Sequence, residues 1–390
     1  MTADRIADLA CDVCIAAGVG GLTMRSAAER AGVTPPAVVY HFRNREGLLL
    51  AALAALERRQ DAACQALAAA LADEPEAGIG PEAALGAALL ETVATHGMAF
   101  GVEEEIACAL GDRAAEGQAI LQRMHPRADA FWRSLPGMDG LDAEARAVCA
   151  AAAEGLVSYA MLEPAGVRRD ARLLQLVGRL FARLRGEPVA LVAPGQSLRP
   201  VAEEVRPEGK RQIVDATIRL AGRLGIAALT HRAIAAEAGL SVAATTYFYP
   251  TKEDILVDAA RTVQARAVDA VIAGNAPPPE FMSRITLDAE GEERGAHAAL
   301  TAFTNAAMRL PDFRTLAGTF QGIRGLAAVR WLTARGCGEV DRLDGILWAA
   351  AATTLTRRAL LLPPGERAAC LDRTAERWLA RLYRPGTVHT

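Results

Sequence analysis

Residues 18–49 read GVGGLTMRSAAERAGVTPPAVVYHFRNREGLL, and residues 225–256 read GIAALTHRAIAAEAGLSVAATTYFYPTKEDIL. The two stretches align without a gap, Thr23 on Thr230, at an offset of 230 − 23 = 207. Leu22/Leu229, Arg25/Arg232, Ala28/Ala235, Gly32/Gly239, Tyr40/Tyr247 and Glu46/Glu253 are identical pairs. A repeat of this kind decides the architecture before any single residue does. Upstream, IADLACDVCIAAG matches IVDATIRLAGRLG in the same register, both with helical apolar spacing. The ends of the halves also correspond. AVCAAAAEGLVSYAMLEPAGVRRDARLLQLVGRLFARLRG aligns with GILWAAAATTLTRRALLLPPGERAACLDRTAERWLARLYR, Ala182 on Ala380, an offset of 380 − 182 = 198. The second half is therefore shorter by 207 − 198 = 9 residues in its middle. From Gly186 to Gly209, Pro188, Pro194, Pro200 and Pro207 forbid a continuous helix and mark a linker.

The first copy reads as a set of physical instructions. Thr23 offers a hydroxyl to cap a short helix from Met24 to Ala31. Ala28 is small enough for a second helix to cross closely over it. Gly32 stands just past that helix, where a left-handed residue turns the chain. Thr34 caps the next helix, and Pro35 and Pro36 fall in its first turn, where missing N–H groups cost little. The second copy repeats the plan with Thr230, Ala235, Gly239 and Ser241. This is a helix-turn-helix, whose second helix enters a DNA major groove. Asn44 and Thr251 then cap a longer helix whose first residue is basic, Arg45 in one copy and Lys252 in the other. A cation there opposes the helix macrodipole, which points to phosphate as its partner. Tyr40 and Tyr247 can supply a phenolic donor to another phosphate, while His41 and Phe248 share one packing or phosphate-facing position.

The expected DNA-contacting set is thus Thr23, Arg25, Thr34, Pro35, Pro36, Ala37, Tyr40, His41 and Arg45 in the first copy. In the second it is Thr230, Arg232, Ser241, Val242, Ala243, Thr245, Thr246, Tyr247 and Lys252. No early residue of either second helix is an Arg, Asn or Gln able to grip a base bidentately. Methyl and hydroxyl contacts to bases are what remain.

LTMRSAAERAGVTPPAVVYHFRNREGLL and LTHRAIAAEAGLSVAATTYFYPTKEDIL closely resemble the N-terminal domain of the TetR family of bacterial transcriptional regulators. The resemblance extends over nearly the whole chain, because each half has the length of one family member. It implies an all-α fold: twice over, a three-helix DNA-binding head and a larger helical body for ligand binding and dimerisation. The expected divisions are 1–50 and 210–257 for the heads, 51–185 and 258–390 for the bodies, and 186–209 for the linker. In the family the last two helices of the body form a four-helix dimer interface. Here that implies an intramolecular pseudo-dimer, about Asp142–Leu162 with Arg169–Arg185 against Val340–Leu362 with Glu366–Tyr383. A dimer of such chains is the alternative. The family often has Lys-Gly early in the recognition helix and an aromatic where Val39 and Thr246 stand. This chain departs at both places. A ligand-responsive repressor bound to double-stranded DNA is the implied function, against a ligand-binding or protein-interaction module in which one or both heads no longer bind DNA.

Composition agrees with a helical protein: aromatics are only 5%, and the chain is rich in Ala, Leu and Arg. With 43 basic against 46 acidic residues, any electrostatic grip on DNA must be a local face. No apolar run is read as long enough to span a bilayer, and the N-terminus lacks a signal-peptide layout, so a cytoplasmic protein is expected. Cys11 and Cys14 form a CxxC on one helix face, open to a packing or a redox reading. His96, His125 and His297 lack ligand spacing, and no GxGxxG, P-loop, HExxH or GxSxG occurs. No metal, cofactor or enzyme activity is expected. Bulky residues stand out in the alanine-rich bodies: Met98, Phe100, Met124, Phe131 and Trp132 in the first, Phe303, Met308, Phe320 and Trp331 in the second. They can line a pocket for a small apolar effector or serve as ordinary core.

Overall fold

The computed structural model describes residues 2–72, 78–192, 205–272, 292–309 and 313–383. Every regular element among them is helical. Residues 193–204 of the expected linker, and 273–291, 310–312 and 384–390 of the second body, lie outside the described residues.

The first head consists of α1 (Ala3–Ala17), α2 (Met24–Ala31), α3 (Pro35–Phe42) and the start of α4 (Arg45–Ala72). Its local signals act as expected except at Thr34, whose hydroxyl makes no cap bond to α3. Thr23 and Ser26 form a reciprocal capping box, and Gly32 ends α2 at φ 64°, a left-handed conformation that a side chain would strain. Ile6, Cys11, Cys14, Leu22, Ala28, Val38 and Leu49 bury one another beneath the helices. Burial pushes the Cys11 thiol up to about 11 and that of Cys14 to about 12, the state of packed, unreactive sulfur.

α4 carries the chain without a break from the head into the body, so the expected division at 50/51 falls inside one helix. The first body continues as α5 (Pro81–His96), α6 (Val102–Cys108), α7 (Ala114–Arg133), α8 (Ala143–Ala160) and α9 (Val167–Arg185). One stretch, Pro81–Cys108, does have the length and apolarity of a membrane span, contrary to the sequence expectation. It is broken at Gly97–Gly101 into α5 and α6, and Leu85, Leu89 and Val93 go into the core.

The second head comprises α10 (Glu208–Leu224), α11 (His231–Ala238), α12 (Val242–Phe248) and the start of α13 (Lys252–Ile272). Gly239 ends α11 at φ 68°, matching Gly32. The second body contains α14 (Glu292–Arg309), α15 (Arg314–Ile323), α16 (Leu326–Ala334), α17 (Arg342–Ala359) and α18 (Pro364–Leu382).

The halves meet in a four-helix bundle of α8, α9, α17 and α18, and one continuous core runs through both. α8 and α17 cross so closely that a Cβ on Gly155 would lie 2.8 Å from Ala350 Cα and closer still to its carbonyl. The contacts come in exchanged pairs, as across a two-fold axis. The helix caps Asp142 and Asp341 stand 341 − 142 = 199 residues apart. At that same offset, Gly155 against Ala350 is mirrored by Thr354, whose hydroxyl donates to the Ala151 carbonyl at 2.9 Å. Arg381 of α18 reaches Asp142 at 2.7 Å, while Arg183 of α9 reaches Asp344 at 2.8 Å and Arg179 reaches Asp341 at 2.9 Å. The heads touch on the same axis. Gly20 faces Ala227, its own counterpart at 227 − 20 = 207, with a Cβ on Gly20 falling 3.7 Å from Ala227 Cα.

Candidate nucleic-acid interface

Each recognition helix is held from behind and open in front. Val38 of α3 and Thr245 of α12 occupy equivalent positions, 245 − 38 = 207, and both are fully buried. Thr245, expected among the DNA-contacting residues, is therefore corrected to a core position; its hydroxyl donates to the Ser241 carbonyl at 3.2 Å. The exposed side of α3 presents Thr34, Pro35, Pro36, Val39 and Tyr40, with Ala37 half-buried behind them. The exposed side of α12 presents Ser241, Val242, Ala243, Thr246 and Tyr247. Val39 was not among the expected contacts, although the register with Thr246 was there to find it. Tyr40 and Tyr247 are each 83% exposed and, with the exposed Val39 and Val242, put apolar surface on the open face of each helix.

Flanking positions divide. Arg25 is exposed and bonded to Glu29 at 2.9 Å, and Arg232 is exposed. Thr23 and Thr230 spend their hydroxyls on their own helix caps, accepting from Ser26 N and Ala233 N. Ser241 caps α12 at 3.1 Å, whereas the Thr34 side chain makes no cap bond to α3. His41 is exposed with its ring edge-on to Tyr40, while Phe248 is half-buried.

The two basic residues that open the long helices are not equivalent. The Arg45 guanidinium turns inward and donates to the carbonyls of Leu22 at 2.8 Å and Val19 at 2.7 Å. Lys252 has no hydrogen bond or ion pair among the described residues. Asn44 and Thr251 do cap as expected, the first through Gly47 N at 2.8 Å and the second through Asp254 N at 3.1 Å.

The bulky residues of the bodies do not converge on one pocket. Phe131, Trp132 and Trp331 belong to the shared bundle core, Met124 to the core under the first head, and Phe303, Met308 and Phe320 to that under the second. Phe100 and Met98 are half-buried, and Trp331 stacks on Trp348 at 5.2 Å. Two cavities are lined by other residues. One of about 350 Å³ lies among Asp61, Cys64 and Arg127; the other, about 530 Å³, lies at the base of the second head among Lys210, Tyr249 and Asp258.

A charged cluster joins the halves where α6, α7 and α8 meet α17. Arg357 of α17 bonds Glu103, Glu104 and Glu154, and Arg358 bonds Asp129 and Glu154. Burial, with Glu104 adding repulsion, pushes Glu103 up to about 7. Burial would also raise Glu104, but the Arg357 guanidinium and then His125 hold it below the usual range. Burial and then Arg357 lower His125. Spacing along the sequence gives His125 no partner; the fold brings it to Glu103 and Glu104. The side chain of His297 is outside the described residues.

The family description "Bacterial regulatory proteins, tetR family" matches residues 6–52 and again residues 213–259. Among solved structures, the multidrug binding protein EbrR complexed with ethidium aligns at 28% identity over 43% of this chain and 98% of its own, with a TM-score of 0.30. The same protein complexed with malachite green aligns at 27% identity over 44% and 98%, TM-score 0.28. A TetR-family member from Streptomyces coelicolor A3 aligns at 29% identity over 43% and 98%, TM-score 0.28. Curated proteins give no match. With two helix-turn-helix heads built as the sequence dictates and two separate family matches over those heads, the chain is a DNA-binding transcriptional regulator carrying the tetR-family domain twice in tandem.

Proposed function

We propose that this single chain does the work of a two-headed dimer, acting as a cytoplasmic repressor that binds an asymmetric operator. The exchanged contacts between the halves carry this reading. Gly155 with Ala350, Thr354 with Ala151, and the crossed arginine–aspartate pairs occupy both sides of one internal axis. A surface so used is closed to a second copy, and the linker supplies the partner at high effective concentration. The exposed faces around Tyr40 and Tyr247 are the DNA-contacting surfaces. Thr34, Pro35, Pro36 and Val39 read one arm of the operator, and Ser241, Val242, Ala243 and Thr246 the other. Because those faces differ, the two half-sites differ. Lys252 and the two tyrosines bind phosphate; Arg25 and Arg232 flank them. Thr23, Ala37, His41 and Thr230 shape the heads beside those contacts, and Arg45 joins the phosphate set only after leaving Val19 and Leu22.

Regulation by a small apolar effector requires the packed Phe303 and Phe320 region, or the bundle around Phe131 and Trp331, to open a cavity. A ligand acts this way only by preferring one arrangement of the heads. Selection of bound sequences from random DNA, followed by footprinting, tests the reading. Two protected arms of unlike sequence are expected. A strict palindrome, or protection of a single arm that survives loss of the other head's tyrosine, contradicts it.

A further inference from the structure

We propose that Glu103, Glu104 and His125 form a binding site for one divalent transition-metal cation at the junction of the two halves. Glu103 and Glu104 lie on α6 and His125 on α7, and their ligand atoms all fall within 4.8 Å of one another. A small cation bound at about 2.0–2.2 Å holds its ligand atoms no more than about 4.4 Å apart, so a slight closure of these side chains brings all three onto one ion.

Two further observations point to a ligand. The His125 side chain is only 5% exposed, yet neither ring nitrogen has a hydrogen-bond partner among the described residues. Its Nε2 is aimed at Glu104 Oε1 from 3.6 Å, beyond bonding distance. A buried imidazole left unbonded costs stability, and a metal at Nε2 relieves that cost at one of its two nitrogens. The surrounding charge is also unbalanced. Glu103, Glu104, Glu105, Asp129 and Glu154 face Arg133, Arg309, Arg357 and Arg358, one carboxylate more than the guanidiniums.

One imidazole with two carboxylates suits Mn²⁺, Co²⁺ or Zn²⁺; Mg²⁺ and Ca²⁺ prefer oxygen alone. The cation must displace Arg357 from Glu103 and Glu104. Arg357 has somewhere to stay: Glu154 holds it at 2.9 Å, and the Phe100 ring lies 4.4 Å from its guanidinium carbon. Metal uptake therefore replaces the tie between α6 and α17 with a tie inside the first half. The site is a metal sensor of the contact between the halves.

The test is titration of the full chain with Mn²⁺ and Co²⁺, followed by calorimetry and cobalt absorption. One saturable equivalent is expected, with cobalt d–d bands and no thiolate charge-transfer band. His125→Gln and Glu104→Gln should each weaken binding by about 100-fold or more, since even outer-shell changes cost 10–100-fold. Arg357→Gln should tighten it, and Cys108→Ser should leave it unchanged. Should the ligand variants fail to fold, pulsed EPR of the Mn²⁺-loaded native chain reads imidazole nitrogen coupling directly. Absence of saturable uptake, indifference to His125→Gln, a thiolate band or missing nitrogen coupling would each overturn the proposal.

Discussion

The two heads have one fold and two ways of being fastened. In the first, Arg45 is pinned to the turn between α1 and α2, and Arg43 passes from α3 to α4 at φ 65°. In the second, Pro250 stands at the position of Arg43, and Lys252 at the position of Arg45 is unpinned. Instead the second head is tied to the linker. Arg206 bonds Asp258, which also accepts from the Tyr249 hydroxyl and lies 3.7 Å from Lys210 Nζ. The positions equivalent to Lys210, Tyr249 and Asp258 in the first head are Ala3, Phe42 and Ala51, which cannot form such a cluster. Once two copies share a chain, each is free to be braced for its own place while the exposed tyrosines stay alike.

The same divergence runs through the bundle, where it carries the largest expected effect. Arg179 sits buried between Asp341 and Asp344, whereas on the other side of the axis Arg381, the counterpart of Arg183, holds Asp142 at the surface. Arg179→Leu strands two buried carboxylates against one remaining arginine and should cost about 3–5 kcal/mol in urea denaturation. Arg381→Ala should cost under about 1 kcal/mol. Equal losses would erase the distinction between the two sides of the axis. Gly155→Ala comes next. Its methyl meets Ala350 backbone, which cannot swing aside, and a loss of about 1–3 kcal/mol is expected. Ala152→Gly, one turn away on the same helix, should lack any such overpacking signature.

The heads themselves are compared by a smaller pair of changes. Lys252→Ala should lower the salt slope of DNA binding by about 1 unit, weaken all sequences alike and leave stability unchanged. Arg45→Ala should instead destabilise the first head by about 1–2 kcal/mol, because two carbonyls lose a charged donor. A large stability loss for Lys252→Ala would reverse the assignment. Smallest and most symmetrical should be Tyr40→Phe and Tyr247→Phe, each removing the hydroxyl proposed to reach phosphate. Gel shifts should show a loss of about 0.5–1.5 kcal/mol for either, and an effect confined to one head would mean that only that head engages DNA.

Local signals were legible in the sequence, and long-range choices were not. Gly32 and Gly239 mark turns because few other residues tolerate that backbone, and Thr23, Asn44 and Thr251 cap the helices that begin beside them. The repeat exposed the two heads, and the family resemblance implied the bundle. Thr245 was misplaced because a hydroxyl hid its core register, which Val38 shows plainly in the other copy. Arg45 carries a phosphate signal by its place at a helix end, but its partners lie 23 and 26 residues back, across a turn. His125 meets Glu103 and Glu104 only because α6 and α7 pack side by side, and no spacing rule along one helix covers that. The bulky residues looked like one set in the sequence, yet helix packing dealt them among three cores.

The central claim is that the four-helix contact is satisfied within one chain, and sedimentation velocity tests it most directly. The free protein should run as a single 41.1 kDa species across a wide concentration range. Its complex with a selected operator should contain one chain per duplex. A concentration-independent dimer of the free protein, or a complex that forms only with two chains per site, would contradict the account.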